Sequence, residues 1–469
     1  MMEFIKQISD WLWGPPLLIL IVGGGLYISI ITGFFQLRYF GFILKETLGK
    51  MFAKTEGGEG TVSAFQAMTT ALASSIGAAN IVVVPTIIFT AGPGAVFWMW
   101  VVAILAEATK FAEVALSVKY RERNSAGDFV GGASYTFKNA FQGKFGKAMG
   151  ALISFFFMIE ILPSITLQTL SAAGPMVNVG KIMGFDPDIT KKVAIIIIFV
   201  LTGLVVYGGV KAIGRVTEKL VPFMALIYIS MGLIIIILNI QHVPAAFGKI
   251  ILGAFNPTAV AGGAVGATLK NVIQKGVARG VYSNEAGMGS AGYGHAAATT
   301  DHPARQGLWG CFEVIADTLV VCTISALIVL VTDTWTPGMD KAAIDAVSPV
   351  AVERAINTAF GTFGSILISL CLFMFVLSTI IVIVFYCEKQ AEYLFGYKGG
   401  LLFRAIATFM IIAAIFLSFG NAGVFLDVTL ALVVIPNMIG VLMLSKEVKM
   451  MKEDFFNNPL YYPGNKKIK

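Results

Sequence analysis

The sequence predicts an all-α protein that crosses a membrane many times. Of its 469 residues, 57% are hydrophobic and only 13% are charged, whereas a soluble globular domain carries about 25% charged residues. Apolar runs of about 20 residues recur along the chain, and each is long enough to cross a hydrocarbon layer roughly 30 Å thick as a helix. Short segments of alternating polarity, which are typical of a membrane β-barrel, are lacking.

About eleven transmembrane helices are predicted. They lie near residues 15–36, 62–90, 95–118, 148–177, 192–209, 220–240, 259–292, 306–332, 361–387, 400–419 and 421–445. If the N-terminus lies outside the cell, most Lys and Arg residues of the loops fall in the cytoplasm, as positive charges do in membrane proteins. We therefore expect a multi-pass protein of the inner cell membrane with a cytoplasmic C-terminus.

Two of these spans are interrupted by small and polar residues. In the second span they fill residues 65–80, and in the seventh they fill residues 270–292. Backbone groups that are unpaired at membrane depth must line a cavity or bind a ligand, because lipid cannot hydrogen-bond to them. The sequence thus predicts two broken helices around one site.

The positions of the two interrupted spans predict an internal repeat. They lie five helices apart, so each would open one half of the protein, and an odd number of helices gives the halves opposite topology. Paired interruptions of this kind indicate a transporter's binding site. The predicted organisation is an extra N-terminal helix with a cytoplasmic loop (1–61), two five-helix repeats (62–240 and 259–445) and a cytoplasmic tail (446–469).

The direction of each broken helix predicts what it binds. The outer half of the second span begins near Ala79 and Asn80, so its backbone amides point to the membrane centre and favour a carboxylate. The outer half of the seventh span ends near Ile273 and Gln274, so its carbonyls suit an ammonium group or a sodium ion. The two breaks together favour a zwitterionic amino acid.

Several polar side chains have two interpretations. Gln168 is either a partner of the substrate or part of an interhelical hydrogen bond. Ser378 and Thr379 either bind a dehydrated sodium ion or cap backbone carbonyls of their own helix. Gln168 and this hydroxyl pair are kept as site candidates.

The charged residues inside the spans also have two interpretations. Arg279 and Glu285 lie in the polar seventh span, where intramembrane charges are functional candidates. With Asn284 they are expected to form a gate or line the cavity, although Arg279 and Glu285 could also pair with each other. Glu107 and Lys110 are expected to form an ion pair near the cytoplasmic end of the third span.

Three segments make the sequence similar to a known family over essentially its whole length. They are Ala73-Ser-Ser-Ile-Gly-Ala-Ala-Asn80 with Gly92-Pro-Gly-Ala95, Lys211-Ala-Ile-Gly-Arg-Val-Thr-Glu-Lys-Leu-Val-Pro222 and, most specifically, Gly276-Val-Ala-Arg-Gly-Val-Tyr-Ser-Asn-Glu-Ala-Gly-Met-Gly-Ser290. The chain resembles the alanine or glycine:cation symporters, also called sodium:alanine symporters.

This resemblance implies a LeuT-type fold of five plus five helices with one extra N-terminal helix. It also implies sodium-coupled uptake of alanine or glycine by alternating access, with sodium as the co-transported ion. It places backbone around Ser75 to Gly77 at the substrate carboxylate, and the polar stretches described above add Asn80, Gln168, Ile273, Gln274 and Gly276 to the expected substrate residues. It also implies two sodium sites, one served by Asn80 and one built from the carbonyls near Ala73 and Ile76 with Ser378 and Thr379. Ser75 is a further sodium candidate.

Three alternatives stay open on the sequence. Coupling could run on protons through Glu285. Ser290, with His295 nearby, could be the nucleophile of a membrane-embedded hydrolase. The protein could also be a channel. A transition-metal or haem site is not expected, because the three His and four Cys residues show no ligand spacing.

Overall fold

A computed structural model describes residues 2–51, 53, 57–261, 268–416 and 422–463. Parts of three predicted spans lie outside the described residues: 262–267 in the seventh, 417–419 in the tenth and residue 421 in the eleventh. Residues 464–469 of the predicted tail lie outside them as well.

Helices dominate the described residues, and the predicted all-α class is confirmed. The first eleven are α1 Met2–Leu12, α2 Pro15–Leu18, α3 Gly24–Ile31, α4 Phe35–Arg38, α5 Phe40–Glu46, α6 Ala64–Ser75, α7 Val84–Ala91, α8 Gly94–Lys119, α9 Ala133–Phe141, α10 Gly143–Ile182 and α11 Pro187–Val206. The remaining eleven are α12 Gly209–Leu238, α13 Val243–Phe255, α14 Pro257–Ala261, α15 Leu269–Asn284, α16 Ala291–His295, α17 Pro303–Val314, α18 Thr323–Val331, α19 Lys341–Val347, α20 Ala351–Ala413, α21 Ala422–Met443 and α22 Ser445–Asn457.

Shorter elements join or interrupt these helices. π-Helical turns span Ile19–Gly23, Ala79–Val83 and Ile315–Cys322, and 3₁₀ turns span Leu48–Lys50, Ile240–His242 and Ser348–Val350. Two short strands, β1 Glu122–Arg123 and β2 Phe129–Val130, pair antiparallel between α8 and α9. π-Helical turns are frequent at functional sites, and two of these three lie beside the site described below.

Seven helical stretches within the described residues are long and apolar enough to cross a membrane, and an eighth is formed if the bent pair of Ala64–Ser75 and Ala79–Ala91 is one span. The seven are Gln7–Ile31, Gly143–Ile182, Pro187–Val206, Gly209–Leu238, Pro303–Val331, Lys341–Ala413 and Leu426–Met443. The predicted multi-pass character is therefore confirmed, whereas the count of eleven and the inverted repeat stay predictions.

Two predicted spans, near residues 95–118 and 259–292, are not among these stretches. The first of them corresponds to α8. It carries Glu107, Lys110 and Glu113, yet all three side chains are buried inside the protein rather than exposed at its surface. α8 packs against α15 and α17, so its charges meet protein partners. An apolar surface belongs instead to the outer helices, where side chains such as Ile196, Leu204, Phe223 and Leu226 are exposed and suit contact with lipid.

The longest helix, α20, contains two backbone breaks at glycines. Gly361 (φ 63°) and Gly396 (φ 76°) take positive φ values inside it, a region that glycine enters at no steric cost. The second break falls between the predicted ninth and tenth spans, so the chain turns there without a long loop. α20 packs against α10 and α6. Its middle segment, 362–395, contacts α10 through Tyr386 and Phe157 and carries Thr379 to the first helix break.

Candidate functional site

The first helix break lies between α6 and the π-helical turn Ala79–Val83, where the sequence predicts it. α6 ends at Ser75, Ile76 has extended backbone dihedrals (φ −77°, ψ 104°), and the two helical parts meet at 46°. The side chain of Asn80 turns back to accept the N–H of Gly77 through Oδ1 at 2.9 Å. Thr379 Oγ1, from α20, donates to the carbonyl of Ala73 at 2.8 Å. Neutral side chains thus hold this break.

The second helix break lies later than the sequence predicts. α15 runs without interruption through Ile273 and Gln274 and ends at Asn284. The chain then turns through positive φ values at Glu285 (55°), Gly287 (94°) and Gly289 (73°) before α16 begins. The expected interruption at 273–275 is therefore wrong in position: Gly276 and Gly280 stay helical, and the positive φ values that permit the turn fall on Glu285, Gly287 and Gly289 near the end of the polar stretch.

Buried charges hold this second break. Glu113 of α8 accepts the N–H groups of Gly287 and Gly289 through Oε1, both at 3.0 Å. The same oxygen accepts Asn437 Nδ2 at 2.6 Å, and Nδ2 also donates to the carbonyl of Gly287 at 2.8 Å. One carboxylate therefore satisfies two amides of the irregular segment, which lipid could not do.

Lys110 completes the charged support of the second break. Its ammonium donates to the carbonyl of Asn284 at 2.9 Å and lies 3.5 Å from the Glu313 carboxylate. Glu313 also contacts the ring of His295. The expected pair with Glu107 does not form among the described contacts, since Lys110 points across to α15 and α17 and is fully buried. It is a structural cation at a helix end, where positive charge is favourable.

A small cavity lies between the two breaks. Its volume is about 50 Å³, and one water needs roughly 10–15 Å³ on the same measure, so it holds on the order of four water-sized groups. The lining comes from the first break, from α10, from the second break, and from α20 and α21. The lining residues are Ser74, Ser75, Gly77, Ala78, Ala79, Phe157, Glu160, Ile161, Ser164, Gln168, Tyr282, Glu285, Met288, Ser290, Thr379, Ile383, Tyr386 and Leu430.

A carboxyl group and two serines join the breaks at the cavity wall. Glu285 Oε2 accepts Ser74 Oγ from α6 at 3.0 Å and Ser290 Oγ at 2.5 Å. Ser290 thus donates to a carboxylate, while His295 contacts Glu313 and Gln306 instead. A serine nucleophile needs a base that accepts its hydroxyl proton. The Ser290 hydroxyl donates to Glu285 and His295 has other partners, so the two are not arranged as a nucleophile and its base.

A second polar cluster lies behind the cavity, around Asn80. Its Nδ2 donates to Asp317 Oδ1 at 2.6 Å and to Ser283 Oγ at 3.0 Å. Asp317 Oδ2 accepts Ser283 Oγ at 2.7 Å and Thr318 Oγ1 at 2.7 Å. Asp317 is completely buried in the π-helical turn Ile315–Cys322, so the cluster brings three helices to one carboxylate. Carboxylate, amide and hydroxyl oxygens are the ligands that hard cations prefer.

With this geometry established, comparison with known proteins identifies the family. The model of the sodium:alanine symporter family matches residues 1–461. The chain belongs to the sodium:alanine symporter family. The family resemblance predicted from the motifs is therefore confirmed, and the protein is a transporter, not an enzyme. The hydrolase alternative with Ser290 is removed on the same ground.

Similar proteins cover almost the whole chain. The uncharacterized transporter YflA of Bacillus subtilis is 44% identical over 98% of this chain and 95% of its own length. The sodium/alanine symporter AgcS of Methanococcus maripaludis is 36% identical over 94% of each chain. The probable sodium/glutamine symporter GlnT of Bacillus subtilis is 32% identical over 95% of this chain and 89% of its own.

Solved structures share the fold at much lower identity. A crystal structure of a manganese transporter from Eremococcus coleocola matches 90% of this chain and 85% of its own, with a TM-score of 0.51 and 12% identity. At that identity the likeness concerns the fold alone. It supports a LeuT-like arrangement of helices for this sodium:alanine symporter family member.

The predicted site residues divide into those at the cavity and those away from it. Ser75, Gly77, Gln168, Thr379 and Glu285 line the cavity. The carbonyl of Ala73 and the extended residue Ile76 belong to the first break, and Asn80 lies directly behind it in the Asp317 cluster. Ser378 donates to the carbonyl of Phe375 at 2.8 Å, within its own helix.

Residues assigned to the expected break at 273–275 lie away from the cavity. Gln274 Nε2 donates to the carbonyl of Trp13 at 3.3 Å, and Ile273 packs against an apolar cluster with α2 and α21. A Cβ on Gly276 would lie 2.5 Å from the carbonyl oxygen of Ala95. This glycine therefore allows α15 to approach α8 closely, which is a packing role.

The two remaining gate candidates have partners of their own. The Arg279 guanidinium lies over the ring of Tyr282, 5.7 Å from its centroid, and interacts electrostatically with Asp427. No salt bridge joins it to Glu285 within the described part of the chain. Asn284 caps the second break by accepting the N–H of Ala286 at 3.1 Å and donates to Thr318 Oγ1 at 3.3 Å.

Three acidic residues near the site were missed by sequence reasoning. Glu160 lines the cavity, Asp317 holds Asn80, and Glu113 holds the second break. Each stands in an apolar or weakly polar helix, and an ionisable residue in a membrane helix is a functional candidate by default. That signal was present in the sequence for all three.

Proposed function

We propose that this family member takes up a small neutral amino acid, alanine or glycine, together with sodium by alternating access. The observation that carries the proposal is the cavity of about 50 Å³ between two helix breaks. Its size suits a substrate of few atoms, and its apolar walls, from Phe157, Ile161 and Ile383, suit a short aliphatic side chain. A larger side chain would need these walls to move.

The two helix breaks supply groups for both ends of a zwitterion. At the first break, the amides of Ile76 and Gly77 donate to the Leu72 carbonyl and to Asn80 Oδ1. The next backbone amides, those of Ala78 and Ala79 at the cavity wall, are therefore candidates for the substrate carboxylate, with Ser75 and Gly77 lining the same wall. At the second break, the carbonyl end of α15 and Glu285 are candidates for the ammonium group. Gln168 lines the same cavity and is proposed as a further polar contact.

Two sodium sites are proposed beside the substrate. One uses Asp317 and Ser283, whose oxygens converge, with Asn80, whose Nδ2 donates to both while its Oδ1 accepts the Gly77 N–H. The Asn80 amide would turn to offer its oxygen to the ion, and Ser75 on α6 is a further candidate ligand. The other uses the carbonyls of Ala73 and Ile76 with Thr379 Oγ1, which would turn from the Ala73 carbonyl to the ion. Ser378 would join this second site only by giving up its bond to the Phe375 carbonyl.

Gate residues and membrane orientation complete the proposal. Arg279, Asn284 and Glu285 surround the second break, where a change of backbone angles would open or close the cavity. Ile273, Gln274 and Gly276 would act through the packing of α15 rather than by touching the substrate.

The distribution of Lys and Arg favours an inner-membrane protein with its N-terminus outside and its C-terminus in the cytoplasm.

Uptake into proteoliposomes tests the proposed function. Purified protein is reconstituted, and radiolabelled L-alanine uptake is measured with an inward sodium gradient and with an equal potassium gradient. We expect accumulation with sodium only, competed by glycine and saturating with alanine, whereas a channel would not saturate. Uptake that ignores the sodium gradient would contradict the proposal.

Proton coupling is the second candidate. Glu285 lies at the cavity with its carboxyl group held by two hydroxyls, and a relative from Bacillus subtilis, 32% identical over 97% of this chain, is described as a putative sodium/proton-dependent alanine carrier. In this case an inward proton gradient without sodium would drive uptake, and Glu285→Gln would abolish that response. An unchanged response in this variant would remove the candidate.

A further inference from the structure

Glu160 is a buried carboxyl group in the cavity that the proposed substrate contacts do not use. It lies near the middle of α10, its side chain is 7% exposed, and it faces the same cavity as Glu285. Among the described residues, no hydrogen-bond donor and no Lys, Arg or His contacts its carboxyl group. A carboxyl group in this position either holds a proton or takes a cationic partner that enters the cavity from outside the protein.

Glu285 presents a second carboxyl group to the same space. Glu160 and Glu285 interact electrostatically across the cavity, and both are acidic. The nearby cation, Lys110, acts on Glu285 but is bound to the Asn284 carbonyl and Glu313 on the far side of the second break. Arg279 is directed to Tyr282 and Asp427. The described protein therefore offers the pair no direct counter-ion.

Charge balance indicates what the missing partner is. A neutral amino acid is a zwitterion, so it brings one positive and one negative charge and leaves the net charge of two carboxylates unchanged. Two like charges confined to a small, water-poor cavity are strongly unfavourable unless a cation joins them. With the zwitterion bound, the cavity still carries a net negative charge. A cation other than the substrate's ammonium group would reduce this charge.

The oxygen atoms around the pair suit a hard monovalent cation. Ser74 Oγ and Ser290 Oγ already converge on Glu285 Oε2, and each hydroxyl has lone pairs that a cation could use. Carboxylate and hydroxyl oxygens are typical ligands of hard cations. These four side chains come from three different segments, α6, α10 and the second break, so a bound ion would tie the segments together.

We propose that Glu160, Glu285, Ser74 and Ser290 form a cation site for sodium inside the substrate cavity, separate from the sites at Asn80 and Thr379. This inference rests on the proposed function and deepens it, since it adds one sodium ion to each transport cycle. The ion offsets one of the two negative charges of the carboxyl pair while the substrate is bound. Its release to the cytoplasm leaves two repelling carboxylates, which favour binding of a new ion once the empty carrier faces outward again.

The test is the ratio of sodium to alanine transported, measured with both labels in proteoliposomes. Three proteins are compared: the unaltered chain, Glu160→Gln, and Glu353→Gln as a matched control. Glu353 is a half-buried carboxylate of α20 whose partner is Asn178 at 3.2 Å, and it lies outside the cavity. Glu160→Gln keeps the shape and removes the charge, so we expect the ratio to fall by one ion per alanine.

If Glu160→Gln does not fold, a second variant, Glu160→Asp, still tests the site through the sodium dependence of uptake. Glu160→Asp keeps the charge but withdraws the oxygens, so it should retain the wild-type ratio. The sodium concentration for half-maximal uptake should rise by about tenfold, which corresponds to about 1.4 kcal/mol of lost binding free energy. Glu353→Gln should change neither quantity. The expected pattern is a lower ratio in Glu160→Gln, a weaker sodium response in Glu160→Asp and no change in the control.

Two results would overturn this inference. An unchanged ratio in folded Glu160→Gln together with an unchanged sodium response in Glu160→Asp would show that the carboxyl group binds no ion. Uptake driven by a pH gradient alone, and lost in Glu160→Gln, would assign the pair to a proton instead. Failure of the proposed function is distinct from both, because it would appear in the unaltered protein as alanine uptake without sodium.

Discussion

The two helix breaks face one cavity but are stabilised in opposite ways. The backbone of the first is contacted by neutral side chains, with Asn80 accepting the Gly77 amide and Thr379 donating to the Ala73 carbonyl, and the Asp317 carboxylate acts through Asn80. The second is held by buried charges, with Glu113 accepting two glycine amides and Lys110 donating to the Asn284 carbonyl. Charged hydrogen bonds are stronger, and their loss inside a protein costs more.

This difference indicates that the two breaks have different roles in transport. Neutral hydrogen bonds at the first break can be exchanged for a carboxylate or an ion at small cost, so that break is suited to binding. The charged network of the second break connects it to α8 and α17, so that break is suited to carrying movement between helices. The following changes test this contrast, from the largest expected effect to the smallest.

Removal of the acceptor at the second break should have the largest effect. Glu113→Ala leaves the Gly287 and Gly289 amides and the Asn437 side chain without their shared partner, which should lower the free energy of unfolding by about 3 kcal/mol or more. We expect loss of uptake and a lower melting temperature in detergent. Glu113→Gln retains an acceptor oxygen and should be milder; equal effects of the two variants would contradict the account.

A change at the first break should affect sodium binding more than stability. Asn80→Ala removes the acceptor of the Gly77 amide and a donor to Asp317, at a cost of about 1–3 kcal/mol. We expect the sodium concentration for half-maximal uptake to rise clearly, while the protein stays folded. Asp317→Asn, which removes the charge but keeps the shape of the same cluster, should weaken the sodium response in the same direction. A sodium response that is normal in both variants would rule out this cluster as an ion site.

Thr379 and Ser378 form a matched pair of neighbouring hydroxyls. Thr379→Ala removes an interhelical hydrogen bond worth about 0.6 kcal/mol in membrane proteins and should weaken sodium activation, whereas Thr379→Ser should restore it. Ser378→Ala removes a bond within one helix and should leave sodium activation unchanged. The opposite ranking, measured by uptake at graded sodium concentrations, would assign the ion to Ser378.

The smallest effect is expected at the position first assigned to the second break. Gln274 donates to the Trp13 carbonyl away from the cavity, so Gln274→Ala should change stability by less than about 0.5 kcal/mol and leave alanine affinity unchanged. Alanine affinity is read from uptake at graded substrate concentrations. A strong loss of affinity would return the substrate contact to residues 273–275.

The contrast between the breaks also explains what the sequence could predict. The first break was predicted correctly because its determinants are local: Ser75, Gly77 and Asn80 lie within six residues of one another. The second break was placed about ten residues too early, because the groups that hold it, Glu113 and Lys110, come from another helix and meet it only in the folded protein.

The sequence likewise predicted some residues of the candidate site but not others. Gln168, Thr379 and Glu285 were selected from their polarity within apolar spans and do line the cavity. Glu160 and Asp317 carried the same signal, yet no local motif indicated that the fold brings one to the cavity and the other to Asn80. Their partners are distant in the sequence, so only the packing of the helices reveals these contacts.

The space between the two breaks is proposed to bind a small amino acid together with sodium. Isothermal titration of L-alanine into the purified protein, first in sodium chloride and then in potassium chloride at equal ionic strength, tests it most directly. We expect saturable binding in sodium, competed by glycine, and no binding in potassium. Equal binding in both salts, or none in either, would contradict it.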